Sequence, residues 1–133
     1  MIIVSKALEC IENGNGYFCK YLTSNDVGSN GGHQAGIYIS KDDGRKLFPK
    51  PFKKGENVHA DIVIKWYGSK ISRVCNFIYY GKALRTNEFR ITRLERRFQE
   101  NDFFILVLVD EEYIGFVLDE VQSREFLGSR TSV

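Results

Sequence analysis

The chain has 133 residues, enough for one domain with a real core and too few for two ordinary ones. An apolar fraction of 43% and an aromatic fraction of 14% argue against a disordered or fibrous chain. The net charge of +2 is unevenly spread: +4 over residues 1–81 (11 basic, 7 acidic), +4 over residues 82–97 (6 basic, 2 acidic) and −6 over residues 98–133 (2 basic, 8 acidic), so a small total can hide a basic face.

Cys10, Cys19 and Cys75 are odd in number and lack framework spacing, which speaks against a disulfide-rich secreted fold. No run approaches the roughly 18 apolar residues of a membrane span. The first residues, MIIVSKALECIENG, lack the charged start and long apolar core of a signal peptide. A cytoplasmic chain with no membrane partner is expected.

In chain order, Ile3, Val4, Ala7, Leu8 and Ile11 form a helical stripe that Asn13-Gly14-Asn15-Gly16 stops. Residues 17–22 read as a strand. A polar, glycine-rich loop follows and turns abruptly into a second strand over residues 35–40. Residues 41–48 suit a short helix that Pro49 closes. In residues 58–66, Ala60, Ile62, Ile64 and Trp66 alternate with His59, Asp61, Val63 and Lys65, a half-buried strand. Gly68-Ser69-Lys70 reads as the hairpin turn into a strand over residues 72–80. Phe89 and Ile91 face one way, with Glu88, Arg90 and Thr92 the other. Residues 103–109 are almost wholly apolar, as for a central strand covered on both faces, and Asp110-Glu111-Glu112 turns them into a strand over 113–118. A short helix is expected around 121–126, fraying from Gly128. About seven short strands with helices at the margins predict a mainly β, closed or half-closed barrel forming a single domain over residues 1–133.

Enzymatic chemistry finds little support. No acid is followed two residues later by lysine, as a restriction-type nuclease site would want. The clusters Asp42-Asp43 and Asp110-Glu111-Glu112 fall in turns, where solvated acids are ordinary. The cysteines lack metal-binding spacing, and no third group orients a Cys-His pair with His33 or His59. The glycine-rich loop lacks the G-x-x-x-x-G-K-[ST] pattern and leads into a strand, not a helix. No metal and no cofactor is expected.

Two polar segments carry the functional signal. Residues 23–39, TSNDVGSNGGHQAGIYI, offer side chains that both donate and accept hydrogen bonds, and residues 85–97, RTNEFRITRLERR, add the positive charge that the first segment lacks. Arg pairs with guanine, Asn or Gln with adenine, and Glu or Asp accepts from cytosine. Asn25, Asp26, Gln34, Arg85, Asn87, Glu88 and Arg90 supply that whole set. Acids on such a surface repel phosphate and so favour base reading over mere backbone grip. Lys20, Lys65, Lys82, Arg93, Arg96 and Arg97 are candidate phosphate contacts. Ser24, Ser29, Asn30, His33, Tyr38, Thr86 and Thr92 complete the candidate surface for double-stranded DNA.

The motifs SNDVGSNGGHQAGIYI and TNEFRITR resemble the amino-terminal effector DNA-binding domain of the EcoRII restriction endonuclease and its relatives, a family sharing a DNA-binding pseudobarrel with plant transcription factors. The resemblance spans roughly residues 17–118, and its specificity lies in the rare ND-x-G-x-x-GGHQ-x-G-x-Y core. It implies a seven-stranded open pseudobarrel with short flanking helices, whose two arms, residues 24–38 and 84–93, grip the major groove. It implies DNA contacts by His33, Tyr38, Glu88 and Arg90. The second arm departs from the family, with Leu84, Arg85 and Thr86 in place of lysine, threonine and arginine, and Phe89 in place of lysine. The implied role is a target-recognition or effector domain, part of a larger restriction protein, with a nuclease or translocase in the same chain or complex. The rivals are a small nuclease cleaving DNA itself, and a single-stranded nucleic-acid or protein-interaction module with Tyr17, Phe18, Tyr79 and Tyr80 as stacking platforms.

Overall fold

A computed structural model describes residues 2–27, 36–70, 72–82, 88–94 and 98–131. The elements in order are α1 (Ile2–Asn13), β1 (Gly16–Tyr21), α2 (Ser24–Val27), β2 (Ile37–Ile39), α3 (Lys41–Leu47), β3 (Val58–Trp66), β4 (Ser72–Tyr80), β5 (Glu88–Thr92), β6 (Phe103–Val109), β7 (Glu112–Leu118) and α4 (Glu120–Thr131). The seven strands form one sheet in the order β1-β6-β7-β3-β4-β5-β2. It curls into a nearly closed barrel with one unsealed seam, between the edge strands β1 and β2. All pairings are antiparallel except β3 with β7, where Ile64 lies beside Tyr113.

Alternation along each strand builds two cores from one sheet. Phe18, Ile37, Ile39, Ala60, Ile62, Ile64, Phe77, Phe89, Ile91, Phe104 and Leu106 fill the barrel interior. The opposite faces of β6 and β7 present Phe103, Ile105, Val107, Phe116 and Leu118, which α1 and α4 cover with Val4, Ala7 and Phe126. The run over 103–109 is therefore apolar because β6 is buried on both sides, as its sequence predicts. Aromatic edges tighten the interior, with Phe48 and Phe77 meeting at 5.1 Å and 87°.

Helix α3 packs against β1 and β5. Ser40 caps it, its hydroxyl accepting from the Asp43 amide at 3.3 Å. Gly44 lies so close to the Phe89 ring that a Cβ there would stand 2.2 Å from a ring carbon. The buried Tyr113 hydroxyl donates to the Leu47 carbonyl, and burial pushes its pKa up to about 12.

Two expectations need correction. The polar segment after β1 is not all loop: Ser24–Val27 form the single helical turn α2. The tail does not fray at Gly128, because α4 continues to Thr131, held by Phe126 in the outer core.

Candidate nucleic-acid interface

The shortest strand of the barrel carries the site. In the β2–β5 ladder Ile37 lies opposite Ile91, Tyr38 opposite Arg90 and Ile39 opposite Phe89. The pleat sends all four apolar side chains of these pairs into the core and turns Tyr38, Glu88, Arg90 and Thr92 to the other face. The alternation anticipated from the sequence is present residue by residue.

Tyr38 is 41% exposed, and the Arg90 guanidinium carbon stands 5.6 Å from its ring centre, within cation–π range. Arg90 is gripped elsewhere as well. Its Nη2 and Nε donate to Glu88 Oε1 at 2.7 and 3.1 Å, and its Nη1 donates to the Gly36 carbonyl at 3.4 Å. Glu88 and Arg90 are two residues apart on one strand, so they share a face; at 21% and 13% side-chain exposure their pairing is partly shielded from water. Gly36 has φ +92°, and a Cβ there would stand 2.7 Å from the Ile91 carbonyl oxygen. Glycine alone suits that position, where the chain enters β2.

The root of the first polar segment is a small capping motif. The Asp26 amide donates to Thr23 Oγ1 at 3.2 Å, and the Thr23 amide returns a bond to Asp26 Oδ2 at 2.9 Å, a reciprocal capping box with aspartate in the acid position. Asp26 Oδ1 also accepts from the Tyr38 amide at 3.3 Å, and Lys20 Nζ lies 2.8 Å from Oδ2. Asp26 is 2% exposed. Burial pushes its carboxyl up, but the Lys20 ammonium and the Thr23 and Tyr38 amides outweigh it, leaving the pKa below the ordinary value. The structure thus buries Asp26, which the sequence reading set on the DNA-facing surface. The T-x-x-D spacing was the signal that could have revealed this. Lys20, expected among the phosphate contacts, is turned to Asp26 and to the Tyr38 carbonyl at 3.3 Å.

The root of the second polar segment is fixed by a residue the sequence reading missed. Asn57, just before β3, accepts at Oδ1 from the Gly81 and Lys82 amides at 3.1 and 3.3 Å. Lys82 and Asn25 are exposed and Ser24 is half-buried. Thr92 donates to the Asn76 carbonyl at 3.5 Å, and the exposed Arg93 ends β5 with φ 58°. Lys65 pairs with Glu112 at 3.0 Å on an exposed surface. Ser29, Asn30, His33 and Gln34, together with Arg85, Thr86, Asn87, Arg96 and Arg97, lie outside the described residues.

The single-strand rival loses two of its four stacking platforms, while Tyr80 is half-buried. Phe18 and Tyr79 are 3% and 0% exposed, so neither can stack on a base, and the Tyr17 ring is covered by Arg130 at 5.1 Å. Among the described residues no group of three or more His, Cys, Asp or Glu could hold a metal ion. Burial is the leading influence on the Cys10 and Cys19 thiols and pushes both up, away from the nucleophilic thiolate.

Comparison with known proteins bears on the family and the fold. The family described as restriction endonuclease EcoRII, N-terminal, matches residues 12–118. Among solved structures, the B3 domain of the UbaLAI restriction endonuclease, crystallised with cognate DNA, is similar with a TM-score of 0.55 and 21% identity. That match covers 88% of this chain and 79% of the other. No curated protein matches.

Proposed function

The chain belongs to the family of EcoRII restriction endonuclease N-terminal domains, and on that footing we propose that it recognises a specific double-stranded DNA sequence through two arms in the major groove. It serves as the target-recognition or effector domain of a restriction system, with the catalytic part elsewhere in the polypeptide or complex.

The observation that carries the reading is the β2–β5 ladder. Residues 28–35 lead into β2 and residues 83–87 into β5, and because the strands are antiparallel these leads join the ladder at opposite ends. Gly36 and the level of Glu88 are four residues of rise apart, about 13 Å. That spacing matches a major groove about 12 Å wide. Tyr38 and Arg90 lie midway between these levels, with Glu88 at one of them, where base edges would be met. Likeness of fold to the UbaLAI domain crystallised with DNA supports DNA binding as such.

Selection of bound duplexes from a random oligonucleotide pool tests this directly. Enrichment of one sequence family, with single strands of that sequence competing poorly, is the expected result. An unenriched pool, or single strands that compete as well as duplex, contradicts it. Plasmid nicking by the chain with magnesium would favour the nuclease rival instead.

A further inference from the structure

The barrel is open between β1 and β2, and β2 has three residues and pairs with β5 alone. An edge strand so short, with an exposed ring at its centre, leaves backbone polar groups to be satisfied on its unpaired side. Beside α3, which packs against both β1 and β5, Lys20 reaches β2 from β1. Its Nζ meets the Tyr38 carbonyl at 3.3 Å and Asp26 Oδ2 at 2.8 Å, while Asp26 Oδ1 takes the Tyr38 amide at 3.3 Å. Both backbone polar groups of Tyr38 on the seam side are therefore satisfied by side chains of other elements.

We propose that Asp26 and Lys20 are positioning residues for DNA recognition: they stitch the seam of the barrel and hold Tyr38, and Arg90 upon it, at the height where bases are read. This rests on the function proposed above. Neither residue contacts DNA. Asp26 is inaccessible at 2% exposure, and the Lys20 ammonium, on a side chain 22% exposed and 5.7 Å from the Tyr38 ring centre, is paired with Asp26 at 2.8 Å. Lowering of the Asp26 pKa by the Lys20 ammonium and the two amides agrees with a carboxylate that stays charged in place. Losing either partner leaves the other charge unpaired in a confined site, whereas removing both charges together does not.

Positioning and phosphate contact leave different traces. A phosphate contact weakens all duplexes alike and lowers the salt slope by about one when removed. A positioning residue weakens the cognate duplex and leaves non-specific binding and its salt slope alone. The test measures Kd of the wild-type chain and of Lys20→Met, Asp26→Ala, Asp26→Asn and Lys20→Met/Asp26→Asn. Each is titrated with the duplex selected by the wild type and with a scrambled duplex of equal composition, at several salt concentrations. Each single substitution is expected to cut cognate affinity about tenfold, the scale of one misplaced base contact, with scrambled binding and its slope unchanged. The double variant is expected to recover part of the loss. Should Asp26→Ala fail to fold, Asp26→Asn carries the test.

Uniform weakening of both duplexes by Lys20→Met, with a shallower salt slope, overturns the positioning role, as does undiminished discrimination in the Asp26 variants. A wild-type chain that cannot tell the two duplexes apart refutes the proposed function itself, which is a separate outcome.

Discussion

Glu88 is the residue on which attraction and repulsion meet. It accepts two bonds from Arg90 and, as an anion, opposes the phosphate backbone. Replacing it with alanine frees a guanidinium for indiscriminate phosphate binding. Glu88→Ala is therefore expected to raise affinity for a scrambled duplex while lowering cognate discrimination by about 1–3 kcal/mol, read by competition titration. Equal changes on both duplexes would show Glu88 to be a mere surface charge. Asp26 makes a stability prediction of its own. Its pKa is depressed in the folded chain, so its contribution is fully present above the ordinary carboxylate value and is lost as pH falls through the lower folded value. Between about pH 5 and about pH 3 the Tm of the wild type should fall more steeply than that of Asp26→Asn. Parallel curves would deny the carboxylate that role.

At the scale of elements, local pattern decided most of the structure and non-local partners decided the rest. The alternation of residues 58–66 and of 88–92 reads as strand because each has one face in the core, and β3 and β5 run over those residues. The doubly apolar β6 was legible for the complementary reason. Nothing local announces that β3 pairs in parallel with β7, nor that Asn57 ties down Gly81 and Lys82, because those partners are 24 or more residues away. Lys20 was placed among the phosphate contacts; the α2 turn that follows β1 instead brings Asp26 to it. Two substitutions probe the elements. Gly44→Ala pushes a methyl into the Phe89 ring beneath the reading face, an overpacking expected to cost about 1–3 kcal/mol and to lower Tm. An unchanged Tm would mean that α3 shifts freely. Asp110 and Glu111 connect β6 to β7 with φ values of 47° and 70°, a turn that suits glycine. Glu111→Gly is expected to raise stability by up to about 1 kcal/mol in denaturant titration, and a loss would show that the glutamate side chain holds the turn.

For the molecule as a whole, the sequence polarity becomes a division of labour. The basic residues 82–97 include the strand that carries Arg90, while the acidic residues 98–133 build β6, β7 and α4. Duplex binding should weaken steeply between about 50 and about 200 mM salt, as several released counterions require; a flat response would point to another kind of partner. The architecture and the facing of β2 and β5 were readable in the sequence because they follow from side-chain alternation. The seam was not, since the strands on its two sides, β1 and β2, have no ladder with each other and are joined by the Lys20 side chain reaching the Tyr38 carbonyl. The most direct test is the discrimination between selected and scrambled duplexes by the wild type and by Arg90→Ala. The wild type is expected to prefer the selected duplex by about a thousandfold or more, and the variant to lose most of that preference while keeping its fold. An Arg90→Ala chain that discriminates as sharply as the wild type would contradict the account.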